Sequence, residues 1–489
     1  MSIGHKGDFA YESTGSSLVD FFSKAGVFSH KNSFYGETVP ILRLFESAWE
    51  ENEYKAMQLA MWMRDCRGGS GNRSGFRDVI RWIAINHSQW MTANLHLVPA
   101  VGRWDDFIAL IDTPCEQAML LYWGIHIVNG NGLANKWAPR EKNNREVYHK
   151  LRKQLRMSPP EFRKHLAKYT TVVETQMCNN EWAEINYNHV PSVAMSRSTK
   201  SFSRNDLSRF TAWKTSLADP LSGNKVNASV LFPHDCIHTL FSELKIGDGF
   251  YYWSSMRTNP NERYGESVLA NAQFAALPNF MEKNNMRIMP ICDFSGSMCD
   301  PISEKNTIRI IDVCMGLGLY CSDRVGENNP FYRKFIPFSN SSRLVDWKND
   351  SFSIAVQKYN DRWCGSTNIT SALDQILMAG VMLNATNEQM PNCLLIISDM
   401  QWDASLTDSD ETSVETALKT WDKEGFARPK IVYWNLNKYE YAPSTIEHKD
   451  VALVSGYSPS LLTSICEGED FTPVGIMERA IAKYEIVRP

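Results

Sequence analysis

The chain has 489 residues, too many for one ordinary core at roughly 100 to 200 residues per domain, so two or three domains are expected. With 43% hydrophobic and 22% charged residues, 15 tryptophans and 23 phenylalanines, it has the apolar side chains of a globular protein and is not a disordered one. No run approaches the roughly 18 apolar residues of a membrane span, and the opening residues lack the apolar centre of a signal peptide. A cytoplasmic, intracellular protein with no membrane partner is therefore expected. The net charge of −4 is uneven. Residues 1–285 hold 32 Lys and Arg against 28 Asp and Glu, while residues 286–489 hold 19 against 27, so a polyanion would meet the first part. The 11 cysteines, spread from Cys66 to Cys466 with no CxxC pair, read as reduced thiols, with Cys292 and Cys393 as small core residues in strands.

Residues 1–35 read as an N-terminal arm with one short amphipathic stretch, Leu18–Phe22, that docks on the body. Residues 36–285 carry helical spacing, as in Ile41, Leu42, Leu44 and Phe45, then Ala56, Met57, Leu59, Ala60 and Met63. Breaks at Arg67–Asn72, Asp112–Pro114, Asn129–Gly132 and Ser158–Pro160 leave pieces of helix-hairpin length. Consecutive paired helices suggest a helical-repeat, HEAT-like domain. Residues 286–489 change character. Apolar runs at 286–293, 331–338, 393–398, 430–434 and 451–454 alternate with helical stretches, which predicts a mainly parallel, doubly wound, Rossmann-like sheet. The expected class is thus α plus α/β.

Ligands of such sheets gather at the carboxyl ends of the strands, and Asp293-Phe-Ser-Gly-Ser297 falls at one. Asp293, Ser295 and Ser297 offer a carboxylate and two hydroxyls to one hard cation, with Gly296 allowing a tight turn. Further on, Gly365-Ser-Thr367 precedes a helix, and Leu394–Asp399 is another apolar strand ending in an acid. A hydrolase would need more carboxylates and a general base; Asp403 is near in sequence, but no histidine lies in these loops. The site reads as a binding one, with no catalytic residue assigned.

The order Asp-x-Ser-x-Ser, then Thr, then Asp resembles the metal-ion-dependent adhesion site of von Willebrand factor A domains, and all five positions match: Asp293, Ser295, Ser297, Thr367 and Asp399. That resemblance implies Mg2+ or Mn2+, with one coordination place left for water or a partner's acidic group. Oxygen donors alone agree with magnesium.

From Lys136 to Lys168 the chain carries Lys136, Arg140, Lys142, Arg145, Lys150, Arg152, Lys153, Arg156, Arg163, Lys164 and Lys168 against three glutamates. Trp137, Tyr148, Phe162 and Tyr169 are interleaved, a mixture suited to phosphate contacts and base stacking. Arg197, Lys200, Arg204, Arg209 and Lys214 form a second basic stretch, near Phe202, Phe210 and Trp213. A solvated helix face with its rings turned inward is the other reading. Arg67–Arg73 looks like a phosphate loop but lacks the GxxxxGK[ST] order and follows no strand, so a turn between helices is the better reading. His189 and His234 read as structural.

A basic helical half followed by a von Willebrand A domain resembles the Ro autoantigen, or TROVE-module, family, whose helical repeats close into a ring that binds RNA. In detail the sequence is similar to a plant and viral family of the same plan, through Tyr11–Phe22, Arg64–Gly71, Asn180–Asn188, Pro191–Met195 and Tyr433–Leu436. The resemblance implies a non-enzymatic ribonucleoprotein component that binds single-stranded, structured or misfolded RNA, or single-stranded DNA if the chain is viral or from a phage. The alternative is a protein-interaction adaptor whose metal captures an acidic partner group.

Overall fold

The computed structural model describes residues 2–3, 9–27, 41–170, 172–246, 264–282, 286–302, 308–337, 342–359, 369–382, 384–400, 413–437, 444–447, 449–467 and 470–489. After a two-residue hairpin, Ser2–Ile3 with Phe9–Ala10, every described element from 41 to 282 is helical. The breaks in the sequence become helix ends because each carries its own cap. Asn72 Oδ1 accepts the Gly75 amide at 3.0 Å, and Asn131 Oδ1 accepts that of Ala134 at 3.0 Å. Ser158 and Glu161 form a reciprocal capping box, with Pro159 as the first helical residue. Neighbours in sequence pack on one another: Ile41–Glu51 on Glu53–Arg64, and that helix on Arg73–Asn86. A smaller apolar cluster, centred on Ile185, Tyr187, Phe202, Phe210 and Trp213, is separate from the main core.

The C-terminal part is a six-stranded sheet. In chain order its strands are β1 (Ile288–Cys292), β2 (Lys334–Pro337), β3 (Val345–Asp346), β4 (Cys393–Ser398), β5 (Lys430–Asn435) and β6 (Val451–Ser455). Their spatial order is β3-β2-β1-β4-β5-β6. All neighbours are parallel except β3, which pairs antiparallel with β2 at one edge. The order reverses between β1 and β4, so the topological switch point lies between these two central strands. Both are wholly buried, which is why they read as unbroken apolar runs and not as alternating ones. The helix Ile310–Arg324 follows β1 and packs on it and on β2 and β4. The edge strand β3 has only two residues, too short a run for periodicity to reveal.

The arm and the helical half close on this sheet through three contacts. The helix Ser17–Ala25 lies against Ile41–Glu51 and β6. At its end the Gly26 amide donates to Ser455 Oγ at 2.9 Å, and that hydroxyl donates to the Phe22 carbonyl at 3.0 Å. A side chain at Gly26 would run into the Ser455 carbonyl, so glycine is required for the approach. The second contact is the 65–72 loop. Tyr484 donates its hydroxyl to Asp65 Oδ2 at 2.8 Å, Lys483 Nζ reaches the Gly68 carbonyl at 2.6 Å, and Asn72 Nδ2 holds the Ala25 carbonyl at 2.9 Å. Its glycines thus serve close packing between helices. In the third, the helix Pro233–Leu244 packs on Ile310–Arg324, whose Gly316 leaves room for the Pro233–His234 backbone. His234 is buried there, 6.1 Å from the Tyr457 ring.

Candidate metal and anion sites

Asp293 follows β1 directly, and its amide continues the ladder to the Ile397 carbonyl at 3.0 Å. This pins it beside the end of β4, where Ser398 and Asp399 follow. Asp293, Asp399 and Ser398 are fully buried, Ser295 nearly so, and Ser297 is half-buried, giving the group one open side. The Asp293 carboxylate is held from two directions: Oδ1 accepts the Ser295 amide at 2.9 Å, and Oδ2 accepts Ser398 Oγ at 2.6 Å. The Met400 amide donates to Ser398 Oγ at 3.0 Å, and Met400 adopts a left-handed φ of 62°, turning the chain sharply after Asp399.

Ser295 Oγ and Ser297 Oγ lie 3.1 Å apart. Two ligands at adjacent corners of an octahedron with 2.0–2.1 Å bonds are separated by about 2.9 Å, so the hydroxyl pair fits an edge of a magnesium shell. The donors are all oxygen, and the described residues contain no cluster of three or more His, Cys, Asp or Glu. Such a set suits a hard cation and not zinc. Thr367 lies outside the described residues, as do Asp403 and most of the loop that carries Thr367. Beneath the site, Cys314 Sγ faces the Ile397 carbonyl at 3.5 Å, and burial pushes its thiol well above the usual range. On the same helix Asp312 caps the N-terminus by accepting the Arg309 amide at 2.8 Å, and burial pushes its carboxyl up to about 7. Nothing in the sequence singles it out, because its burial depends on the packing of the helix.

The basic segment forms the helices Arg145–Gln154 and Pro159–Tyr169. Lys142, Arg145, Lys153, Arg156, Arg163, Lys164 and Lys168 are exposed. The remaining cations are engaged. Lys150 binds Glu146 at 2.7 Å, Glu116 at 2.9 Å and Asp112 at 3.0 Å, and these bonds raise its pKa. Arg152 donates to the Met157 carbonyl at 2.7 Å, Lys136 lies 3.8 Å from Glu174, and Arg140 is half-buried. The rings turn inward. Tyr148 and Phe162 are core residues 5.6 Å apart, and Phe202, Phe210 and Trp213 are buried as well. Alternation of charge and aromatic residues in this segment therefore reports an amphipathic helix, and its outer face carries phosphate-binding groups without stacking platforms.

A charge cluster that the sequence does not announce lies at the other end of the helical half. Arg64, Arg73, Arg77 and Arg103 meet Asp105 and Asp106, with Arg103 stacked 3.9 Å over Trp137. Four arginines at sequence separations of up to 39 residues carry no local signal, and the fold alone gathers them.

Among known proteins, residues 4–113 and 126–284 match the family described as "Domain of unknown function (DUF2828)", and residues 287–482 match "Domain of unknown function (DUF7788)". The first match spans more than half of the chain, which therefore belongs to the DUF2828 family. A relative over nearly the full length is "Uncharacterized protein L728" of Acanthamoeba polyphaga mimivirus, 22% identical, with 99% of this chain and 88% of the relative aligned.

Proposed function

We propose that the protein is a non-enzymatic binding protein built from a HEAT-like helical half, of the Ro-like plan, and a von Willebrand factor A domain that holds Mg2+ or Mn2+. The observation that carries this reading is the convergence, at the switch point between β1 and β4, of buried Asp293 and Asp399 with a hydroxyl pair 3.1 Å apart. Asp293, Ser295, Ser297 and Asp399, with Thr367, would hold the ion, and the ion would polarise an acidic group presented at the open side near Ser297. The test is a calorimetric titration of the full chain with Mg2+ and then Mn2+. Saturable one-to-one binding is expected, and a parent protein that binds neither ion at millimolar concentration ends the reading.

The partner we favour for the helical half is single-stranded or structured RNA, or single-stranded DNA. Its support is the outward set Lys142, Arg145, Lys153, Arg156, Arg163, Lys164 and Lys168. Such a face contacts phosphates and predicts a strong salt dependence with little sequence preference. Fluorescence anisotropy on one oligonucleotide as RNA and as DNA, at rising salt, decides it. If neither strand binds at low salt while the metal does, the protein is an adaptor that captures a partner's carboxylate. No helix among the described residues is long and apolar enough to cross a membrane, so no membrane partner is invoked.

A further inference from the structure

The arginine cluster of the helical half holds more positive charge than its acids can balance. Asp106 is fully buried and accepts four hydrogen bonds: from Nε of Arg64 at 2.8 Å, of Arg73 at 3.0 Å and of Arg77 at 2.9 Å, and from the Arg103 amide at 3.0 Å. Asp105 takes Nη2 of Arg73 and both Nε and Nη2 of Arg103, the last two at 3.0 Å. Two carboxylates neutralise two guanidiniums, yet four are gathered, and no other carboxylate pairs with them among the described residues. Arg64, with a side chain only 5% exposed, suffices as the buried partner of Asp106. The other three stay partly open, at 35% for Arg73 and 30% for Arg77 and Arg103.

Their donors are also not used up. The bonds of Arg73, Arg77 and Arg103 employ Nε and Nη2, and Nη1 of each has no acceptor among the described residues. Arg103 lies flat over the Trp137 ring, which fixes the plane of its fork, and Lys136 Nζ sits 5.6 Å from the same ring. Burial, with Arg73 alongside, holds the Arg103 guanidinium below its ordinary pKa even with Asp105 beside it. Arg81, two turns along the same helix from Arg73, is bonded to the Ala109 and Ile111 carbonyls. Crowded like charges with spare planar donors are unfavourable alone and become favourable around an anion with several acceptor oxygens.

We propose that Arg73, Arg77 and Arg103, backed by Trp137 and Lys136, form a binding site for a phosphomonoester dianion. The surplus of two charges selects a group that carries two, which a terminal phosphate does and an internal phosphodiester does not. The site does not depend on the exposed ridge at 142–168, and it stands whether or not the protein binds nucleic acid.

The test is calorimetry on the full chain with inorganic phosphate, with adenosine monophosphate, and with a ten-nucleotide RNA carrying either a 5′-phosphate or a 5′-hydroxyl. The 5′-phosphorylated RNA should bind about tenfold or more tightly than the 5′-hydroxyl form, the order expected of charge-assisted forks. Arg77→Gln leaves Asp106 with three of its four donors, so the fold should persist while the preference disappears. Asp105→Asn removes a competing carboxylate and should tighten phosphate binding, an outcome that a purely structural ion cluster does not produce. Binding of phosphate or the mononucleotide that depends on Arg77, with no RNA binding of either kind, upholds the site and ends the nucleic-acid reading. Equal RNA affinity with and without the 5′-phosphate, together with no binding of free phosphate, overturns the site and leaves that reading standing. Failure of all four ligands ends both.

Discussion

The strand-end site and the basic ridge differ in how their polar groups are held. At the end of β1, Asp293 is buried and gripped by the Ser295 amide and the Ser398 hydroxyl, so its oxygens are oriented before any ligand arrives. On the helices 145–154 and 159–169 the cations are long, exposed side chains, and Lys150 already has three carboxylate partners. Burial fixes a few groups for one ion, whereas exposure offers many groups to any polyanion. The arginine cluster around Asp106 shows that the helical half fixes charge in the first way too, where its helices pack closely enough to exclude water.

The sharpest way to break this comparison is to remove a buried acid. Asp106→Ala leaves Arg64 buried without its partner, and the expected cost is about 3 to 5 kcal/mol of unfolding free energy by urea denaturation. A loss below about 1 kcal/mol, the value of exposed pairs, would place the cluster with the surface charges. Asp293→Ala should lower Mg2+ or Mn2+ affinity by about 100-fold or more while circular dichroism stays unchanged, since loss of even an outer-shell partner costs 10- to 100-fold. Unchanged affinity removes Asp293 from the ligands.

Effects of middle size come from close packing and from the ridge. Gly26→Ala drives a methyl group into the Ser455 carbonyl and should cost about 1 to 3 kcal/mol, with earlier proteolysis of the arm as its signature. Lys142, Arg145, Lys153 and Arg156 changed together to glutamate should abolish single-strand binding. Replacing one of them by glutamine should flatten the salt dependence by about 0.7 for each phosphate that is no longer neutralised. Lys150→Gln should change RNA affinity little, because that ammonium is engaged by Asp112, Glu116 and Glu146. If Lys150→Gln proves as damaging as Lys153→Gln, the division between engaged and outward-facing cations is wrong.

The smallest expected effect is a pH dependence. Burial raises the Asp312 carboxyl to about 7, so the folded state holds a proton that the unfolded chain releases near the ordinary aspartate value. The stabilising contribution is complete at acid pH below both values, and it is lost as pH rises from about 4 towards 7. Asp312→Asn, which can still accept the Arg309 amide, should flatten thermal stability across that window. A parent protein with equal melting temperature at both ends of it contradicts the assignment.

The sequence by itself determined what local rules govern. Caps at Asn72, Asn131 and Ser158 set helix boundaries through bonds to amides three residues on, and the unbroken apolar runs of β1 and β4 followed from burial on both faces of a parallel sheet. Asp293, Ser295 and Ser297 lie within one turn of chain, so their association was legible too. Tertiary structure decided the rest. It turned Tyr148, Phe162, Phe202, Phe210 and Trp213 inward, because a helix hides whichever stripe meets its neighbour, and composition does not say which. It also put Arg67–Arg73 to use as a docking loop, Asp312 in a dry setting, and Arg64, Arg73, Arg77 and Arg103 around two aspartates. Those arrangements join residues far apart along the chain, and only the packing of whole helices brings such groups within hydrogen-bonding distance.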